Sequence, residues 1–175
     1  MTVENEAKIL DIDVEKVTAI LLEHGVLLGS RHQRRYVYDI DPGDQSTWIR
    51  LRDDGERVTL AVKKIEHDGI DGTHEWETTV GDFDTANELL GRLKYTPKAY
   101  QENRRTSYLV GTVAIELDEW PLIPPYLEIE GNTADEVRET ASLLGFAADQ
   151  LTSVNTTKVY ARYGIDLASI SDLRF

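Results

Sequence analysis

The chain has 175 residues, 41% of them hydrophobic, enough for a single domain over residues 1–175 with a sizeable core, and no composition break argues for a second. A formal net charge of -13 disfavours nucleic acid and anionic lipid as partners through long-range repulsion, and the absence of cysteine excludes disulfides and thiolate metal sites. No apolar run is long enough to span a bilayer, and the N-terminus is acidic rather than a basic leader, so a cytoplasmic protein without a membrane partner is expected.

In chain order, residues 3–10 alternate as a strand, and DVEKVTAILLEH (13–24) predicts a helix capped by Asp13 and stopped by Gly25. Strands follow at 31–40, 47–53, 57–65 and 74–80, joined by the turns DPGD, DDGE and DGIDG. A second helix is predicted over 84–94, despite Gly91. Strands return at 99–110, 112–119 and 126–130. A Thr133-x-x-Glu136 capping box then opens a third helix, 133–145, and 156–163 reads as a ninth strand. Residues 164–175 read as a short appendage that could serve an interface, as in a homodimer. The order fits an α+β fold in which an eight-stranded antiparallel β-barrel is closed and helices pack outside it.

In a strand, residues i and i+2 share a face. ENEAK therefore sets Glu4, Glu6 and Lys8 in one row against Val3, Ala7 and Ile9. The split recurs with Arg50 and Arg52 against Ile49 and Leu51, and with Lys63 against Val58, Leu60 and Val62. Glu75 and Glu77 form another row, as do Glu116 with Asp118 and Glu128 with Glu130. A solvated outer face explains any single row. The set is different, because the charges come in blocks by strand and the amphipathic helices need an apolar surface to cover. The charged face is therefore expected to turn inward, around a wet tunnel. Like charges so placed repel by about 2–3 kcal/mol per adjacent pair at an effective dielectric near 20, so compensation is required. A hard divalent cation such as Mg²⁺ or Mn²⁺ would answer the carboxylates, and a phosphate chain the arginines and lysines.

With these residues in hand, Glu4-x-Glu6-x-Lys8 resembles the ExExK signature of the CYTH superfamily, the triphosphate tunnel metalloenzymes. That group includes class IV adenylyl cyclases, thiamine triphosphatases and inorganic tripolyphosphatases. The companions Arg50-x-Arg52, Lys63, Glu75-x-Glu77, Arg105, Asp118, Glu128-x-Glu130 and Lys158 stand in the expected order, over residues 3 to about 160. The resemblance implies an eight-stranded tunnel binding a triphosphate, with Mg²⁺ or Mn²⁺. It implies phosphate contacts from Lys8, Arg50, Arg52, Lys63, Arg105 and Lys158, metal-holding by Glu4, Glu6, Asp118, Glu128 and Glu130, and a catalytic role for Glu75 and Glu77 in positioning water or a second metal.

Four positions depart from that pattern: Asn103 where a basic residue is frequent (with Arg104 as a substitute if the strand bulges), Lys63-Lys64-Ile65 for Lys-Gly-Pro, Arg35 for an aspartate, and Ile123-Pro124-Pro125 for Leu-Gly. The four histidines show no metal-ligand spacing, and no Gly-rich phosphate loop is present. Trp48, Trp76 and Trp120 read first as packing or rim residues. Hydrolysis of a triphosphate is the expected activity, with class IV adenylyl cyclase chemistry as the alternative. A non-enzymatic barrel for a lipophilic ligand is the third reading; it requires Ile49, Leu60, Leu117 and Ile129 inside, and Glu6, Arg52 and Glu130 outside.

Overall fold

The computed structural model describes residues 2–175. Its strands are β1 (Thr2–Ile9), β2 (Val26–Asp39), β3 (Thr47–Asp53), β4 (Val58–Ile65), β5 (Thr73–Val80), β6 (Pro97–Val110), β7 (Val113–Glu119) and β8 (Tyr126–Gly131). They pair in the order β6-β2-β3-β4-β5-β1-β8-β7, and β7 returns to β6, so the antiparallel sheet closes on itself. Closure removes the free edges that an open sheet of eight strands would expose. Two short strands lie beside the barrel: β9 (Leu151–Thr152) on β1, and β10 (Asp172–Leu173) parallel to β6.

Three helices start where local capping chemistry places them. Asp13, Asp82 and Thr133 each accept a hydrogen bond from a backbone N–H of the first turn of α1 (Val14–His24), α2 (Phe83–Arg92) and α3 (Ala134–Leu143). Their apolar stripes cover the outer face of the barrel. Val17 and Leu21 of α1 and Val137 and Ala141 of α3 bury Ala7, Ile9, Ile115, Leu117, Leu127 and Ile129. Under α2, Phe83, Ala86 and Leu90 bury Ile49 and Leu51, with Leu60 partly buried beside them. The apolar rows therefore point outward into helix-covered cores, which rules out the greasy-lumen barrel.

The segment 156–163 is a correction. It forms helix α4 (Thr156–Arg162), not a strand, because the Asn155 side chain accepts from Lys158 N at 2.9 Å and caps it. Val159 and Tyr160 form its buried stripe against Trp120, Tyr126, Leu167 and Leu173. The β-branched and aromatic content of TTKVY mimics a strand, but Asn155 and the 3.6-residue period prevail. Residues 164–175 pack onto the barrel through buried Leu167 and Leu173. β2 begins at Val26, before the predicted 31, because a register shift between Leu27 and Gly29 breaks the alternation; Gly29 takes φ +140 there, where a side chain is strained. In the β4–β5 turn a Cβ at Gly72 would lie 1.9 Å from His67 O, so only glycine fits.

Candidate active site

The inward rows of the strands enclose a cavity of about 390 Å³ inside the barrel. β1 supplies Glu4, Glu6 and Lys8, β3 supplies Arg50 and Arg52, β4 Lys63, β6 Arg105, β7 Asp118 and β8 Glu128. β2 adds Arg35, and residues 153–157 and 167–170 close one flank. Strand residues as far apart in sequence as Glu4 and Glu128 thus meet in one lumen, because period-two strands place every second side chain on the inner wall.

Opposite charges interlock across it. Lys63 Nζ donates to Glu4 Oε1 and Oε2 at 2.8 and 2.9 Å. Lys8 donates to Glu6 and lies 3.3 Å from Glu128 Oε2. Arg105 binds Asp118 bidentately, Nε to Oδ1 at 2.7 Å and Nη2 to Oδ2 at 2.6 Å, and reaches Glu128 Oε1 at 3.0 Å. Arg50 Nη2 donates to Glu75 Oε1 at 2.8 Å and Glu77 Oε2 at 2.9 Å, and Arg52 approaches the same Glu77 oxygen at 3.5 Å.

Burial sharpens the charges. Desolvation pulls the Lys8 ammonium down, but Glu6 and Glu128 outweigh it and hold its pKa above the ordinary lysine value. Burial likewise pushes Glu128 up, yet Lys8 and Arg105 prevail and keep it well below the usual carboxylate range. Glu6 is raised by burial first and by Glu128 second. Desolvation, then Glu75, lifts Glu4 to about 7, and desolvation followed by Glu6, Glu4 and Glu128 lifts Glu130 to about 7. Glu130 has no cationic partner among the described residues; across the ladder it directly faces Glu6.

The sequence-predicted residues divide accordingly. Glu4, Glu6, Lys8, Arg50, Arg52, Lys63, Arg105, Asp118 and Glu128 line the cavity, and Glu75 and Glu77 stand behind Arg50. Glu130 follows Glu128 on its row but is exposed near the end of β8, outside the cavity lining, so the neighbouring carboxylates Glu6, Glu4 and Glu128 are the firmer cause of its raised proton affinity. Lys158 is not among them. It lies on α4 with half its side chain exposed, gripping Asp68 Oδ1 and Oδ2 at 2.7 Å. Arg104 does not replace the basic residue absent at Asn103: β6 and β7 pair without a bulge, Arg105 faces the lumen, and the Arg104 guanidinium leaves it for the Phe175 ring, 4.2 Å from the centroid. Sequence reasoning passed over Arg35 as a site residue, treating it only as a departure. The alternation Gln33, Arg35, Val37, Asp39 on β2 was the available signal.

Residues 3–159 match the family model of the CYTH domain. The chain belongs to the CYTH family. Solved structures similar to this CYTH chain include the PH1012 protein of Pyrococcus horikoshii OT3, at 20% identity over 87% of this chain and 96% of that one, TM-score 0.75. A candidate adenylate cyclase of Vibrio parahaemolyticus is 14% identical over 91% and 98%, TM-score 0.76. HpAC1 of Hippeastrum, assigned as an adenylyl cyclase and showing a dominant triphosphatase activity, is 17% identical over 95% and 99%, TM-score 0.62. At these identities the likeness is one of fold. No curated protein sequence matches the chain.

The donor set suits a hard divalent cation. Glu6 and Glu130 oppose each other on neighbouring strands, burial and the neighbouring carboxylates raise the proton affinity of both, and only Lys8 pairs with Glu6 while Glu130 has no cation of its own among the described residues. Among the described residues no three Asp, Glu or His side chains converge on one point as they stand, since Glu4, Glu6 and Glu128 are turned onto Lys63, Lys8 and Arg105.

Proposed function

We propose that this CYTH chain is a divalent-metal-dependent triphosphatase that hydrolyses a triphosphate inside the barrel. The observation that carries the reading is one lumen holding Lys8, Arg50, Arg52, Lys63 and Arg105 together with Glu4, Glu6 and Glu128. A phosphate chain is the ligand that satisfies several inward cations at once, and guanidinium forks match its oxygens.

Mg²⁺ or Mn²⁺ would be held by Glu4, Glu6, Glu128 and Glu130, and when bound would withdraw charge from the phosphate oxygens. The protein's own groups do the rest. Arg50, Arg52, Lys63 and Arg105 orient the chain and neutralise charge developing on the phosphoryl oxygens while water attacks the terminal phosphorus in line, the bridging P–O bond opposite it breaks, and orthophosphate and the shortened chain are released with a proton to solvent. Glu75 and Glu77 act as positioning residues for Arg50, and Asp118 as the anchor of Arg105, because their oxygens already accept from those guanidiniums. Hydrolysis accords with the dominant triphosphatase activity named for the Hippeastrum neighbour.

Adenylyl cyclase chemistry is the second reading, favoured by a cavity flank that carries Trp48, Val37, Ala99 and Ile170, an apolar surface fit for a base. Incubation with Mg²⁺ or Mn²⁺ and tripolyphosphate, ATP, GTP or thiamine triphosphate, with orthophosphate and cyclic nucleotide quantified together, decides between them. Orthophosphate release is expected. Cyclic nucleotide with pyrophosphate would establish the cyclase, and neither product would overturn both.

A further inference from the structure

The inner wall of β2 holds a cation that no carboxylate pairs directly among the described residues. Arg35 is 8% exposed, points into the cavity and has no ion-pair partner among the described residues. Its Nη2 donates to a neutral group, Asn103 Oδ1, at 2.5 Å, its Nε finds no acceptor, and its guanidinium lies 4.6 Å from the Trp120 ring centroid. Trp120 Nε1 is itself buried without an acceptor. A buried charge left in this state is costly, since desolvation is repaid only by pairing.

The register makes the imbalance worse. Arg35 sits directly opposite Arg52 on β3, and like charges facing each other across a ladder are destabilising. One residue earlier, on the outer face, the same two strands pair Arg34 with Asp53 at 3.0 Å. The fold thus neutralises the outer pair and leaves the inner pair repelling. Burial first, then Arg50, Arg52 and Arg105, pull the Arg35 guanidinium down to about 9.

A relay of hydrogen bonds fixes its direction. Asn103 accepts from Arg35 and donates through Nδ2 to Asp118 Oδ1 at 3.2 Å, the same oxygen that holds Arg105 Nε. Two guanidiniums from β2 and β6 are locked toward the lumen through one carboxylate, which only one of them contacts. We infer that Arg35, with Arg52 facing it and the unpartnered indole N–H of Trp120 nearby, forms an anion subsite on the β2 wall that takes a phosphoryl group of the bound chain. The inference rests on the triphosphate reading and adds to it a cation from β2.

Calorimetric titration of the full chain with tripolyphosphate and Ca²⁺, beside thermal melts of the ligand-free protein, tests it. Arg35→Gln should weaken tripolyphosphate binding roughly 10- to 100-fold, the loss of one charge-assisted contact, while melting no lower than wild type because an uncompensated charge has gone. Arg35→Gln combined with Asn103→Lys returns the charge to the neighbouring strand and should recover most of the affinity. Equal affinity in Arg35→Gln and wild type would overturn the inference and leave the triphosphate reading standing. So would a lowered melt or failure to fold, since Arg35 would then be a prop for Trp120. A wild-type chain that does not bind tripolyphosphate would overturn both.

Discussion

Asp118→Asn separates the anchoring of Arg105 from metal-holding. Asp118 is 0% exposed, and its two oxygens take three donors: Arg105 Nε, Arg105 Nη2 and Asn103 Nδ2. Asparagine keeps the shape and one acceptor but removes the charge, leaving Arg105 buried with only Glu128, at 3.0 Å, as an anionic partner. Breaking a buried pair costs about 3–5 kcal/mol, and the surviving Glu128 contact places the loss near the lower end, about 3 kcal/mol. For a chain of this length each kcal/mol moves the melting temperature by about 2–4 °C, so calorimetry of the metal-free protein should show a fall of about 6–12 °C. A loosened Arg105 should also raise KM for tripolyphosphate about tenfold. If metal-free Asp118→Asn melts within about 2 °C of wild type and loses stability only when Mg²⁺ is added, Asp118 is a metal ligand and the anchoring argument fails.

Other outcomes follow from the same charges. Glu6→Gln and Arg52→Ala each remove a charged group of the lumen, so turnover should fall by about 100-fold or more with far-UV dichroism unchanged; unchanged turnover in both would remove the tunnel as the site. The melt of Arg52→Ala should stay close to wild type because crowding with Arg35 and Arg50 is relieved, while Glu6→Gln, which leaves Lys8 with Glu128 alone, should melt several degrees lower. The Glu130 carboxyl is pushed up to about 7 from 4.5, so the folded chain holds its proton more tightly than the unfolded one; the associated stability is full below pH 4.5 and lost as pH rises through 7. Glu130→Gln should therefore match wild type at about pH 4 and melt higher at about pH 8 without metal, and saturating Mg²⁺ should close that gap; a gap present at acid pH instead would refute the assignment. Lys158→Ala removes only an exposed pair with Asp68, so turnover within about twofold of wild type and a melt within about 2 °C are expected from kinetics and calorimetry.

The sequence by itself determined the parity of the strands. Once Glu4, Glu6 and Lys8 alternate with Val3, Ala7 and Ile9, the two sets must lie on opposite faces whatever the fold, because the side-chain period of a strand is two. Helix starts at Asp13 and Thr133 were equally local, being satisfied within one turn, whereas the helix expected over 84–94 runs Phe83–Arg92 under a cap at Asp82 that sequence reasoning passed over. Segment 156–163 misled because Val, Tyr and Thr favour a strand while the deciding signal, the Asn155 cap, is a single side chain.

Pairing between distant strands was decided by the tertiary structure alone. That Arg105 and not Arg104 faces inward depends on an unbulged β6–β7 ladder, and that Glu75 and Glu77 grip Arg50 depends on β4 standing between β3 and β5. The exit of Lys158 to Asp68 required the placement of α4, and the exposure of Arg35 to Arg52 without a carboxylate required the β2–β3 register. Each of these is a non-local contact, fixed by where the barrel closes and by how the helices cover its outer face. Charge alternation sets which side chains share a wall, but only closure brings those walls within hydrogen-bonding distance of one another.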